Sequence, residues 1–405
     1  DRQAYLAAGG LLPSATDDRS ADDIAAVDLC TRLRRQGGRI QHVADAVVFD
    51  DRPVATRTSL RQPIDPTSPS WRALIERQGP AIVRASALHG AAPATRWVLT
   101  TAVPSDRLAP RWGDWHLAEG LARALRRQGE DVRVQSHAHA DSLAGRSCDV
   151  HLVLHGLQSV ARTPGQRHIL WVISHPETLD ADECDAADLI LVASPRFAAE
   201  LRRRTTTPVE VLLQATDPDR FSPKPVAPAH AHLVTIVAKT RGVVRPVALD
   251  AIEAGLRPAI YGSGWDGLVD PALVVSDHVA NEDLPAVYSS AGVVLNDHWD
   301  TMRAWGFVSN RVFDVLACGT PIISDHLDEL PELFGDAVPT YRSSRELAAL
   351  IARSLERPDE ARARAAAGRA TVLAHHTFDH RARELLALVA QHGLRDDPAT
   401  DERHT

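Results

Sequence analysis

"RVFDVLACGTPIISD", Arg311 to Asp325, reads as a helix, a Gly-Thr-Pro turn and a short buried strand. A helix that stops at glycine and hands over to an apolar strand is the repeating piece of a parallel α/β sheet. Asn310, Arg311 and Asp314 put polar groups on this helix close to the turn. Asp314 falls one turn after Asn310, on the same face. Such a group is either solvated helix surface or part of a ligand site.

Working backward, the pattern repeats. "HLVTIVA" is strand, "RPVALDAIEAG" helix, "RPAIYG" strand, "NEDLPAVYSSAG" helix and "VVLND" strand. After the opening stretch, "LDELPELFG" is helical, and from "SRELAALIARSL" onward the chain is almost wholly helical. An earlier series has the same rhythm. "RWVLTTAV" is strand and "GDWHLAEGLARALRRQG" is an amphipathic helix closed by glycine. "DVRVQSH", "CDVHLVLHG", "HILWVISH", "DLILVAS" and "VEVLLQA" are strands, with helices such as "SPRFAAELRRRT" between several of them. The segment "TDPDRFSPKPVAPAHA" interrupts the alternation and reads as a connection. The pattern predicts an α/β protein with two doubly wound, Rossmann-like domains facing a cleft. The boundaries are an N-terminal α/β piece and linker at 1–90, domains at 91–225 and 226–375, and a C-terminal helix and tail at 376–405. Ligands on such sheets bind beyond the carboxyl ends of the strands, so the cleft is the expected site.

At 405 residues the chain is long enough for two full cores. Its 45 Lys and Arg against 53 Asp and Glu leave a net charge of −8 and no overall basic footprint for nucleic acid. The four cysteines have no C-x-x-C pair and read as reduced, packed thiols, which implies a cytoplasmic setting. Abundant Arg and Ala point to a bacterial source of high GC content. No apolar run is long enough to span a bilayer. The only methionine is Met302, so the expectation is a fragment or processed product of a longer chain.

Four constellations carry chemistry. Lys239, Arg241 and Arg245 lie between a buried strand and the next helix, where cations and free backbone N–H groups suit a diphosphate; a solvated loop has the same composition. Gly262, in "YGSGW", either lets the backbone approach a ligand or forms a plain turn. Gly306, Phe307 and Val308 precede the opening helix and could present amides to an anion, while Asp314 could accept two hydrogen bonds from a ribose diol or merely complement the helix dipole. On the other domain, His155 and His175 end strands, and Asp114 and His116 start a helix, all on the side expected to face an acceptor hydroxyl. No zinc-spaced set, Walker loop or G-x-S-x-G occurs, so neither a metal nor a cofactor is expected.

"SNRVFDVLACGTPIISDHLDELPELFG" resembles the nucleotide-sugar motif of GT-B glycosyltransferases of family four, especially the spore-maturation-type branch. There the stretch reads roughly E-P-F-G-x-x-x-x-E-A-x-A-x-G-x-P. The resemblance extends through "VVRPVALDAIEAGLRPAIYGSGW" and "NEDLPAVYSSAGVVLND". It implies that Asp314 binds the donor ribose, and that Asn310 and the amides of Gly306 to Val308 lie near the diphosphate. It gives Arg245, with Lys239 or Arg241, the neutralisation of the leaving diphosphate, and sets His155 against the donor sugar. Gly306 stands where the family has its first glutamate, which contacts the sugar.

The likeness also implies glycosyl transfer with retention and without metal. The donor would be a nucleoside-diphosphate sugar, a substrate rather than a cofactor. The acceptor would be a glycan, a lipid-linked molecule or another hydroxyl compound, and the setting glycan biosynthesis in the cytoplasm, with a peripheral contact at the inner membrane face. The alternatives are a degenerate, non-catalytic GT-B scaffold or sugar-binding module, and an epimerase on the same fold. Residues 1–50 resemble something else, the tail of a family-two GT-A glycosyltransferase with Ala25-Ala26 where that family has E-D. That implies either an upstream GT-A module in a longer parent chain or a structural remnant.

Overall fold

The computed structural model describes residues 95–394, apart from 141, 143–147, 157, 241 and 244. Residues 1–90, with the GT-A-like stretch and Cys30, and Arg241 lie outside the described residues.

The first sheet holds β1 (Arg96–Thr100), β2 (Asp131–Gln135), β3 (Val150–Leu154), β4 (Arg167–Val172), β5 (Leu189–Val192) and β6 (Val209–Val211). Helices α1 (Gly113–Arg127), α2 (Ala181–Ala186) and α3 (Pro195–Leu201) connect them. All strands are parallel, in the order β2-β1-β3-β4-β5-β6. The inner strands are largely apolar on both faces, as in a sheet covered on both sides; Leu99, Leu152, Ile169 and Trp171 are completely buried. Buried indoles find partners, with Trp97 Nε1 donating to Glu130 and Trp171 Nε1 to the Leu212 carbonyl.

The second sheet holds β7 (Val234–Val237), β8 (Ala259–Tyr261), β9 (Val274–Ser276), β10 (Val293–Asn296), β11 (Ile322–Asp325) and β12 (Thr340–Tyr341), again parallel, in the order β12-β11-β10-β7-β8-β9. Its helices are α4 (Pro246–Glu253), α5 (Leu284–Ser290), α6 (Asp300–Trp305), α7 (Asn310–Ala317), α8 (Glu329–Phe334), α9 (Ser344–Glu356) and α10 (Pro358–His375). The stretch from Arg311 to Asp325 forms α7 and β11 around Gly319, whose φ of 71° is the left-handed turn a helix end requires. In both sheets the order reverses beside the first strand, between β1 and β3 and between β7 and β10.

The sequence analysis placed a C-terminal helix and tail at 376–405. The helix α11 (Phe378–Gln391) returns to the first domain, and Phe378, Ala382, Leu385 and Val389 join its core. It lies so close to α1 that a Cβ on Gly120 would strike the Phe378 ring. Met302 and Phe307 cross the other way into the same core, where Phe307 packs on Phe197 with ring centroids 5.6 Å apart. Where the chain leaves and re-enters the first domain, Thr216 and Thr377 pair in parallel. Thr216 N–H donates to the His376 carbonyl at 3.1 Å and Phe378 N–H to the Thr216 carbonyl at 2.9 Å.

Inside the first sheet, His151 and His168 meet edge to face at 5.6 Å. Burial pushes them down to about 3 and about 4, well below the ordinary imidazole value. Their folded forms stay neutral while the unfolded chain takes up protons below about pH 6.5, so their contribution is complete above that pH and is lost as pH falls towards 4. In urea titrations, His168→Gln should shrink the stability difference between pH 7.5 and pH 5 by about 2 kcal/mol.

Candidate active site

A cleft of about 370 Å³ lies between the domains, at the carboxyl ends of both sheets. The first domain contributes the start of α1 with Asp114 and His116, and the end of β4 with Ile173, Ser174 and His175. The second contributes Lys239 after β7, Gly262 after β8, and Ser309, Asn310, Arg311 and Asp314 at the start of α7. Eight of the sequence-predicted site residues are thus brought together.

Asp314 is buried, and both of its oxygens are engaged. Oδ1 accepts from Thr216 Oγ1 at 2.7 Å and Oδ2 from Asn310 Nδ2 at 2.9 Å. Burial drives its carboxyl up to about 7, opposed by these two hydrogen bonds and by Arg311. Asn310 Oδ1 is buried without a partner. An orphaned acceptor at a cleft wall is a position to which a ligand hydroxyl can donate. Arg311 reaches Asn296 Oδ1 at 2.6 Å and keeps a half-buried cation beside the cleft.

The start of α7 is fixed by a relay. Ser309 N–H donates to His298 Nε2 at 3.0 Å, so Nδ1 carries the ring hydrogen and meets Asp325 Oδ1 at 2.6 Å. Gly262, at φ 139°, has no room for a side chain, because a Cβ would strike the Ala238 carbonyl. His175 is the one non-glycine residue with positive φ among the described residues, at φ 53° and ψ 48°. Its Nδ1 lies 2.9 Å from Glu177 Oε1. This sparsely populated backbone conformation at the cleft wall makes His175 a candidate site residue. His116 Nε2 contacts the Pro110 carbonyl at 3.0 Å, and burial lowers its pKa. Across the cleft mouth, Lys239 Nζ donates to the Arg111 carbonyl at 2.7 Å, and Arg111 faces Asp277 at 3.6 Å.

The remaining expected residues stand elsewhere. His155 does not line the cleft; its side chain is sealed in the first domain, with Nε2 2.9 Å from Thr178 Oγ1. Thr178 in turn donates to the His175 carbonyl, so His155 braces His175 from behind. Arg245 is buried in an ion pair with Asp297 and stacks over Trp299, 4.7 Å from the ring centroid. Gly306, Phe307 and Val308 are buried away from the cleft; Gly306 N–H is spent on Arg303 and Phe307 N–H on Met302. The space a side chain at Gly306 would need is filled by the carboxylate of Glu329, which pairs with Arg196 of α3 at 2.9 Å. Sequence reasoning missed Thr216, Asp217, Arg220 and Glu329. The first three stand in "TDPDRFSP", read as a mere connection, although a polar run directly after a strand end was itself a signal.

Residues 241–387 match a family model described as glycosyl transferase-like. No curated protein sequence matches the chain. Solved structures share the fold. A sucrose-phosphate synthase from Thermosynechococcus elongatus superposes with a TM-score of 0.52 at 17% identity, covering 73% of this chain and 98% of that one. A trehalose-6-phosphate synthase gives 0.53 at 10% identity, covering 73% and 99%. An α-glucosyltransferase in complex with UDP and a 13-mer DNA gives 0.52 at 12% identity, covering 73% and 100%. The two facing parallel sheets are the GT-B fold of glycosyltransferases.

Restoring an acid at position 306 should fail on its own. Gly306→Glu should cost about 3 kcal/mol of stability, from its φ of 72° and the collision with Glu329. The double variant with Glu329→Ala should recover part of that loss, a coupling measurable by denaturant titration.

Proposed function

We propose that the protein moves a sugar from a nucleoside-diphosphate sugar to a hydroxyl acceptor, with retention and without a metal ion. The observation that carries this reading is the pair at the head of α7: a buried carboxylate, Asp314, beside an unpartnered amide oxygen, Asn310 Oδ1, in an interdomain cleft. A ribose diol matches this pair, since a hydroxyl can donate to either oxygen. Lys239 and Arg311 then lie where a diphosphate would gather negative charge as it leaves. Arg245, spent on Asp297, orders the loop and Trp299 rather than meeting phosphate.

On the acceptor side His175 takes the place expected for His155, with Asp114 and His116 beside it. In the retaining step, the bond from the sugar's anomeric carbon to the β-phosphate oxygen breaks. The acceptor oxygen bonds to the same face, and its proton passes to the departing phosphate. Lys239 and Arg311 supply the stabilisation that a metal would otherwise give. UDP is the first nucleotide to try, because an α-glucosyltransferase of the same fold is in complex with it. A non-catalytic sugar-binding scaffold is the second reading, favoured by Gly306 and by the Glu329 carboxylate in its place. Cytoplasmic glycan synthesis, with glycan or lipid-linked acceptors, is the context we propose.

In a thermal-shift panel of UDP-, GDP-, dTDP- and CDP-sugars with EDTA, one nucleotide class should raise the melting temperature, and Asp314→Ala should reduce the shift. No shift for any of them at millimolar concentration would favour the scaffold. With a donor in hand, product NMR should show the donor's anomeric configuration kept.

A further inference from the structure

The sequence read Thr216 as linker. The structure makes it the one residue that ties the crossover between the domains to the side chain at the centre of the proposed donor site. Thr216 is completely buried, and its backbone is clamped on both sides by the returning chain at His376 and Phe378. Its hydroxyl therefore has little freedom, and it donates to Asp314 Oδ1 at 2.7 Å. We propose that Thr216 is a positioning residue for the donor: its hydroxyl aims the Asp314 carboxylate at the ribose and makes donor binding depend on the ionised form of that group. This rests on the donor reading above and deepens it.

An ionised carboxylate offers about four lone-pair directions. Thr216 takes one on Oδ1 and Asn310 one on Oδ2, which leaves the carboxylate free to accept from one ribose hydroxyl while the other donates to Asn310 Oδ1. Protonation converts one oxygen into a donor and breaks this match. The balance between the two forms is close. Burial and Asp217 favour the neutral acid, while the hydrogen bonds from Thr216 and Asn310 and the charge of Arg311 favour the anion, and the group is poised at about 7. The other ionisable groups around it are Tyr288 of α5 and Cys318 at the end of α7. Both are pushed upward by burial, Cys318 to about 12, so neither titrates near neutrality. Asp217 is held by Arg123 at 2.6 Å. Removing the Thr216 hydroxyl leaves burial less opposed and shifts the balance towards the neutral acid.

The test compares wild type, Thr216→Val, Thr216→Ser and Asp314→Asn. Dissociation constants for UDP, and for GDP, dTDP and CDP if UDP is silent, are measured by calorimetry from pH 5.5 to 8.5. The ligand-free Asp314 carboxyl is titrated in parallel by carbon NMR on aspartate-labelled protein, assigned with Asp314→Asn. Wild-type affinity should rise through a midpoint near the carboxyl's own. Thr216→Val should bind roughly tenfold more weakly at pH 7, the loss expected for one hydrogen bond to a charged group, with both midpoints moved to higher pH. Thr216→Ser should behave as wild type, and Asp314→Asn should lose this pH step. A merely structural role would weaken binding equally at every pH, and that result would overturn the proposal. If wild type binds and Thr216→Val matches it across the range, only the role of Thr216 falls. If wild type binds none of the four nucleotides, the donor reading itself falls.

Discussion

The architecture turns on one buried carboxylate held by both halves of the chain. Asp314 belongs to α7 of the second domain, yet one of its two hydrogen bonds comes from Thr216, on the segment that leaves the first. A carboxylate this deeply buried is costly unless donors compensate it. The compensation needs the crossover, α7 and the cleft wall to be in place together. The structure therefore concentrates its electrostatic cost at the point where a ligand with paired hydroxyls would be gripped.

The surroundings make that point rigid. The two chain crossings pair as strands at Thr216 and Thr377, and α11 folds back into the core of the first domain. Phe307 and Met302 enter the same core from the second domain, while Arg196 reaches across to Asp328 and Glu329. The relay from Asp325 through His298 to Ser309 fixes the entry to α7. The cleft mouth, by contrast, is spanned by side chains that a bound anion could reorganise, above all Lys239 on the Arg111 carbonyl.

Much of this was readable in the chain. Alternating apolar strands and amphipathic helices predict two parallel sheets, and the longer strands of both sheets fall on stretches whose apolar run is plain. The two that escaped, Val274–Ser276 and Thr340–Tyr341, are edge strands of three and two residues, too short to show a period. The polar face of α7 that meets the cleft was legible because Asn310 and Asp314 are one turn apart. What the sequence could not weigh was competition among polar groups. Arg245 looked like a phosphate ligand until its Asp297 partner, 52 positions away, became visible. His155 and His175 both end strands, and only the three-dimensional arrangement shows that one braces the other. The replacement of a side chain at 306 by the carboxylate of Glu329 is likewise a contact between distant segments that no local pattern encodes.

The central claim is that the cleft between the sheets holds a nucleoside diphosphate by its ribose at Asp314 and Asn310. A crystal structure of the protein grown with saturating UDP tests it most directly. The ribose hydroxyls should lie within hydrogen-bond distance of Asp314 and Asn310 Oδ1, with the diphosphate turned towards Lys239 and Arg311. A nucleotide seated away from α7, or a cleft left empty at saturating UDP and at saturating concentrations of the other three nucleoside diphosphates, would contradict it.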